Sequence, residues 1–470
     1  MIARRAGVAA LLLAAASCAD PTGPAPAPVL VPTPARKPSL VVVLADDLDV
    51  RTTDFLPRLP SLMTERGVSF TRAYVTTSLC TPSRVSLLTG RYAHNHGVLD
   101  NGGPRGGFPV FRAGGEAETV AVWLRAAGYR TALFGKYLNG YPSDSPPEYV
   151  PPGWDDWQVQ LTTYENSRYF DYQMNENGRI VAYAHRPEDY DADVLARKAA
   201  AFIGAADPNQ PFFLCVATQA PHWPASYAER HRGQPSGDGA PRVPSFNEGD
   251  VSDKPAWVQN AGLLTESDVR KLDRFQQARV LTMLAVEELI DQVLRALAAS
   301  GRLEETYVFF TSDNGLLLGE HRLVNRKWNA FEEAILVPLV VRGPGVPAGR
   351  RFSEPVLNID LAPTFAELAG ISLPDSIDGR SLVPFLRGTP PDRWRSDFLV
   401  ELFASGVSAS VRNARYLYTD VESGERELYD MQADPFQLTS LHRKADPALM
   451  AGLSARAAAL LACRAASCRD

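Results

Sequence analysis

Seven consecutive residues, Ser39-Leu-Val-Val-Val-Leu-Ala45, form an unbroken apolar, β-branched run. A half-exposed strand would alternate; a continuous run is what a strand covered on both faces needs. The run therefore predicts an α/β fold, with helices on both sides of a mostly parallel sheet. Comparable runs recur at Tyr129–Phe134, Phe212–Thr218, Tyr307–Thr311 and Pro338–Gly345. Between them, Leu59–Gly67, Thr119–Gly128, Asp193–Ile203 and Glu266–Ala299 read as helices, and Val68–Val75 reads as one short strand. Ligands of open α/β sheets sit beyond the carboxyl ends of the strands. Here those ends carry Asp46-Asp47, Lys136, His222 in Pro221-His-Trp-Pro224, and Asp313-Asn314. Adjacent carboxylates repel unless a cation joins them, although Asp46-Asp47 alone also fits a cap or a turn. With Asp313 and Asn314 they supply the oxygen donors of a hard-cation cage. The prolines around His222 restrain its backbone, as a placed imidazole requires.

A second feature is Ser78-Leu-Cys-Thr-Pro-Ser-Arg84 followed by Val85-Ser-Leu-Leu-Thr-Gly-Arg91. Pro82 suits the first turn of a helix, which puts Cys80 at the helix mouth. Free N–H groups and the helix dipole favour an anion there, and Arg84 follows one turn later on the same face. By themselves these residues define an anion site with a sulfur at its edge, or a buried cysteine beside a helix start.

Arg4 and Arg5 precede the apolar stretch Val8–Ala16, so residues 1–18 read as a signal peptide. Cys18 after Ala15-Ala-Ser17 resembles a bacterial lipoprotein cleavage site, leaving a lipid tether through Cys18 and plain secretion as two readings. Residues 19–37 are a Pro/Ala-rich linker. Cys215 lies in a buried run, and Cys463 and Cys468 can pair in an oxidising compartment. A formal charge of −6 argues against a general nucleic-acid binder.

The stretch Ser78–Gly90 resembles the sulfatase signature Cys-x-Pro-Ser-Arg with its trailing Thr-Gly. Gly128–Lys136 fits the second signature of that family, and Gly135-Lys-Tyr-Leu-Asn139 is closest in wording to the glucosamine-6-sulfatase and heparan endosulfatase branch. Gly319-Glu-His-Arg-Leu323 with Lys327, and Leu428-Tyr-Asp430 with Asp434-Pro435, continue the resemblance. It implies an alkaline-phosphatase-like fold and a maturation enzyme that oxidises Cys80 to formylglycine. It further implies one Ca²⁺ held by Asp46, Asp47, Asp313 and Asn314 beside the modified Cys80. Arg84, Lys136 and Lys327 would offset the sulfate charge, and His222 or Lys327 would protonate the leaving oxygen. One hydroxyl of the aldehyde hydrate would attack sulfur, and the other would then expel sulfate. Many sulfatases carry a histidine two residues after the signature lysine; this chain has Leu138, which leaves Asn139 or another group to replace it. His94 and His96 face the site or serve the structure.

The expected product is inorganic sulfate from a sulfated carbohydrate, with glucosamine 6-sulfate preferred. The alternatives are a phosphonate or phosphate ester hydrolase on the same fold, and a carbohydrate-binding protein without catalysis. Residues 38–390 are expected to form the catalytic domain. Residues 391–470 are expected to form a small antiparallel sheet closed by the helix Pro447–Leu461.

Overall fold

The computed structural model describes residues 36–161, 169–403 and 408–469. The signal-peptide reading and almost all of the linker lie outside them.

Ten strands make one mixed sheet. In chain order they are β1 (Ser39–Ala45), β2 (Val68–Phe70), β3 (Arg130–Gly135), β4 (Asp156–Gln160), β5 (Tyr172–Glu176), β6 (Arg179–Tyr183), β7 (Phe212–Ala217), β8 (Thr306–Ser312), β9 (Leu339–Arg342) and β10 (Arg350–Phe352). Their spatial order is β10-β2-β9-β8-β1-β7-β3-β4-β5-β6. The centre, β8-β1-β7-β3-β4, is parallel throughout, and antiparallel pairings flank it.

As the apolar run predicts, every residue of β1 is buried. Its side chains alternate between two cores. Leu40, Val42 and Leu44 meet α1 (Cys80–Thr89), α2 (Val120–Ala126) and, further along the chain, the helix Leu361–Leu368. Val41, Val43 and Ala45 meet α3 (Asp191–Gly204) and α4 (Glu266–Ala299). Each fully buried Val or Leu is worth about 1.5–3 kcal/mol, so a charge at Val42 or Val43 would break the centre of the sheet. Thr265 caps α4 by a reciprocal capping box with Asp268.

Two expected elements divide. The Leu59–Gly67 helix splits into turns at Leu59–Leu62 and Thr64–Arg66, because Met63 leaves helical geometry (φ −128°, ψ −64°) and is buried. Val68–Val75 splits because β2 joins the large sheet while Ala73–Tyr74 pairs in a separate three-stranded one. The segment from Val356 starts as a short strand before the Leu361–Leu368 helix begins.

β11 (Asp397–Leu402), β12 (Ser408–Asn413), β13 (Tyr416–Val421) and β14 (Arg426–Asp430) form a four-stranded antiparallel meander. The helix Pro447–Leu461 packs on it. Its apolar face shares a core with Tyr74, Val75, Phe331 and Ile335. Cys463 and Cys468 form a disulfide, and Cys215 is a buried free thiol.

Candidate active site

All the predicted site residues gather at the carboxyl edge of the parallel strands. Asp46 and Asp47 follow β1, Lys136 follows β3, His222 follows β7, and Asp313 and Asn314 follow β8. Backbone bonds clamp these ends together: Asp46 N–H donates to Ala220 O (3.0 Å), Asp313 N–H to Ala45 O (3.1 Å) and Lys136 N–H to Ala217 O (2.8 Å). Cys80 opens α1, with Leu79 in extended geometry before it. Lys327 arrives from a separate loop, pinned where Trp328 N–H donates to Ser78 O (3.1 Å).

The side chains interlock. Lys327 Nζ lies 2.8 Å from Cys80 Sγ and also donates to Asp47 Oδ1. Cys80 Sγ is 3.5 Å from Asp46 Oδ1. Lys136 Nζ donates to Asp46 Oδ2. Arg84 Nε donates to Asp313 Oδ2 (2.8 Å), and its Nη2 stands 3.6 Å from Asp46 Oδ2. His222 Nε2 is 3.6 Å from Asp47 Oδ2. Donor atoms of Asp46, Asp47, Cys80 and His222 all lie within 4.8 Å of one another.

The electrostatics follow from burial opposed by neighbours. Burial raises Asp46, but Lys136, then His222, Arg84 and Lys327, hold it well below the ordinary carboxylate range. Asp47 is lowered in the same way, against burial, chiefly by Lys327 and His222. At Asp313 burial and Asp46 win over Arg84 and Lys136, pushing it up to about 6. Burial pushes the Cys80 thiol up to about 12 despite Lys136 and Lys327, so the unmodified side chain is a neutral thiol and a poor nucleophile. Burial lowers His222 despite Asp47 and Asp46.

A hard cation fits this donor set. Asp46, Asp47, Asp313 and Asn314 are buried oxygen donors. Asn314 Nδ2 is spent on Asp47 Oδ1 (2.6 Å), while its buried Oδ1 has no hydrogen-bond partner. An amide oxygen left in that state costs free energy unless something electropositive meets it.

Several supporting residues are not evident from local motifs. Arg279, fully buried on α4, donates through Nη2 to Asp47 O (2.7 Å) and to Asp49 Oδ2 (2.8 Å). Asp47 has a left-handed backbone (φ 65°), so this clamp holds a conformation that a non-glycine residue rarely adopts. Ser83 Oγ donates to Asp313 O and accepts from Asn358 Nδ2 (2.9 Å), tying α1 to the end of β8. Asn139 braces the helix mouth: Thr81 Oγ1 donates to Asn139 Oδ1 (2.9 Å), and Asn139 N–H donates back to Thr81 Oγ1 (3.0 Å). His94 bonds Glu401 Oε2 (2.7 Å) and Cys463 O (2.9 Å), and His96 bonds Ser86 Oγ (3.0 Å), so both histidines serve the scaffold.

Buried carboxylates, a sulfur at a helix mouth and the cations of Arg84, Lys136 and Lys327 thus meet in one place. The Sulfatase family model matches residues 38–371, and the model for the C-terminal part of N-sulphoglucosamine sulphohydrolase matches residues 319–459. N-acetylglucosamine-6-sulfatase of Homo sapiens is 34% identical, covering 92% of this chain and 86% of the human protein. N-acetylglucosamine-6-O-sulfatase of Bacteroides thetaiotaomicron is 26% identical over 92% of this chain and 86% of that protein. A solved structure of a protein in complex with its substrate D-glucosamine-2-N,6-O-disulfate superposes with a TM-score of 0.75 at 24% identity, covering 90% of this chain and 97% of that one. The phosphonate monoester hydrolase of Agrobacterium radiobacter shares the fold (TM-score 0.71, 24% identity, 90% and 95% coverage). The chain belongs to the sulfatase family, and it is a sulfuric ester hydrolase.

Proposed function

We propose that this enzyme releases inorganic sulfate from a sulfated carbohydrate, preferring the 6-O-sulfate of a glucosamine-type sugar. Formylglycine derived from Cys80 would be its nucleophile, and one Ca²⁺ would be held by Asp46, Asp47, Asp313 and Asn314. The observation that carries the reading is Cys80 at the mouth of α1, within reach of both Lys327 Nζ (2.8 Å) and Asp46 (3.5 Å). Cys80 is 1% exposed, so a maturation enzyme would act on it before the chain closes around it.

When bound, the ion supplies positive charge that favours ionisation of the aldehyde hydrate and offsets the sulfate oxygens. The chain's own residues do the rest. Lys327 Nζ lies against Cys80 and Lys136 Nζ against Asp46 beside it, so the two would give the sulfate group ammonium contacts. Asp46 and Asp47 stay ionised under these cations and keep them in place. The leaving alcohol needs a proton. His222 Nδ1 is 2.7 Å from Trp223 O, which can only accept, so the neutral ring carries its hydrogen on Nδ1 and offers a lone pair at Nε2. Lys327, raised well above the ordinary lysine value by Asp47 against the effect of burial, holds a proton at neutral pH, and we assign it the role of donor. His222 then orients the sulfate, and it can donate only after taking a proton.

Export and a bacterial lipid anchor at Cys18 belong to the same reading; radiolabelled fatty acid should enter the wild type and not Cys18→Ala. Among the described residues, no helix is long and apolar enough to cross a membrane.

The test is comparative turnover of N-acetylglucosamine 6-sulfate, an aryl phosphodiester and a phosphonate monoester by protein matured at Cys80. Faster sulfate release supports the proposal. Faster phosphonate cleavage would transfer it to the chemistry named for the Agrobacterium radiobacter neighbour. No turnover, with glycan still bound, would favour the carbohydrate-binding alternative.

A further inference from the structure

Three tryptophans are exposed among the described residues: Trp223 (57%), Trp257 (42%) and Trp328 (43%). Trp257 packs on Phe331, with ring centroids 6.3 Å apart. Among the described residues, neither Trp223 nor Trp328 has an aromatic ring against it. Both sit beside the chemistry, since Trp223 directly follows His222 and Trp328 directly follows Lys327.

Their backbones are held by the site itself. His222 Nδ1 bonds Trp223 O (2.7 Å), and Tyr169 OH fixes the same turn by donating to His222 O (2.7 Å). Trp328 N–H donates to Ser78 O (3.1 Å), two residues before Cys80, and Asn329 N–H donates to Ser78 Oγ (3.1 Å). Trp328 also has φ 67°, the left-handed region that a bulky aromatic residue seldom occupies. A large apolar ring shown to water on a strained, fixed backbone does not help the fold. Such features gather at ligand clamps.

The arrangement also has direction. His222 approaches Oδ2 of Asp47 and Lys327 approaches Oδ1, so the two tryptophan-bearing segments reach one carboxylate by its opposite oxygens. A sulfate held between Lys327 and His222 would lead its alcohol portion outward between the two segments. The C–H faces of a sugar ring stack on indole, whose N–H can also reach a hydroxyl.

We propose that Trp223 and Trp328 form a sugar-binding subsite that takes a glycan of at least two rings, one indole stacking on the sulfated ring and the other on its neighbour. This proposal rests on the carbohydrate reading above. The matured enzyme is tested on a 6-O-sulfated glucosamine monosaccharide and on a disaccharide carrying the same sulfated ring, comparing wild type, Trp223→Ala and Trp328→Gly. Glycine suits the left-handed position, so Trp328→Gly removes the ring without adding strain. Loss of one ring should lower kcat/KM about tenfold, mainly through KM, for the disaccharide alone, and loss of the other should lower it about tenfold for both sugars. Disaccharide binding to Cys80→Ala protein should quench tryptophan fluorescence, and it should weaken by a similar factor when either tryptophan is also replaced. Unchanged disaccharide-to-monosaccharide ratios and unchanged affinity in folded variants overturn the subsite and leave the sulfatase reading standing. Failure of the wild type to release sulfate from either sugar overturns the carbohydrate reading, and the subsite falls with it.

Discussion

Lys327 touches both the sulfur of Cys80 and a carboxylate oxygen of Asp47, and as the proposed proton donor it would serve the leaving oxygen. Lys327→Ala should slow hydrolysis of a sugar sulfate by about 10²–10⁴-fold. An aryl sulfate with a good leaving group should suffer far less, because it needs little protonation; a linear free-energy plot of rate against leaving-group pKa, steeper in the variant, checks this. Arg279 tests a different link. Arg279→Ala should weaken Ca²⁺ binding by about 10–100-fold through loss of the Asp47 clamp, measured by calorimetry, and Arg279→Lys should recover part of it. The residues proposed as ligands stood out in the sequence because the strand ends announce themselves: an apolar run stops and Asp46-Asp47 or Asp313-Asn314 begins. Arg279 carries no such mark. It lies within α4, far along the chain from Asp47, and only packing brings the two together.

Among the elements, α1 is held to the sheet edge by Ser83, and the start of the Leu361–Leu368 helix is held by a buried pair to the segment that leads into the C-terminal meander. Arg395 Nη2 donates to Asp360 Oδ1 (2.7 Å), and Asp360 also accepts from Leu357 N–H (2.8 Å) and Arg380 N–H (2.8 Å). Arg395→Ala should destabilise the protein by about 3–5 kcal/mol, read from denaturant midpoints, since it leaves a buried carboxylate without its cation. The double change Arg395→Met with Asp360→Asn should recover part of that loss. The central strands were legible from their unbroken apolar runs. The fate of Leu59–Gly67 was not, because a helix with its apolar face satisfied and a broken one that buries Met63 share the same periodicity. The pairing of Ala73–Tyr74 with two distant strands likewise depends on partners that local pattern does not name.

For the molecule as a whole, pH acts through buried carboxyls outside the site. Burial raises Asp191 to about 7 from an ordinary value of 3.8, despite its bonds from Gln219 and Gln160. A carboxyl raised on folding contributes stability that is fully present below its unfolded value and is lost as pH climbs through the folded one. Asp191→Asn should therefore match the wild type near pH 4 and exceed it in melting temperature by pH 8, with the gap opening between. A gap that instead closes as pH rises would show that Asp191 is stabilised as an anion. The melting temperature should also rise with Ca²⁺ concentration and fall on chelation, as expected of a ligand that binds only the folded state.

Dependence on formylglycine is measured by mass spectrometry of the tryptic peptide Ala73–Arg84, paired with sulfate release from N-acetylglucosamine 6-sulfate by the same preparations. Samples spanning a range of Cys80 conversion are obtained by varying supply of the maturation enzyme. Turnover should rise in proportion to the fraction of formylglycine at Cys80 and vanish in Cys80→Ala. Sulfate release that is independent of conversion, or full conversion without release, would contradict this dependence.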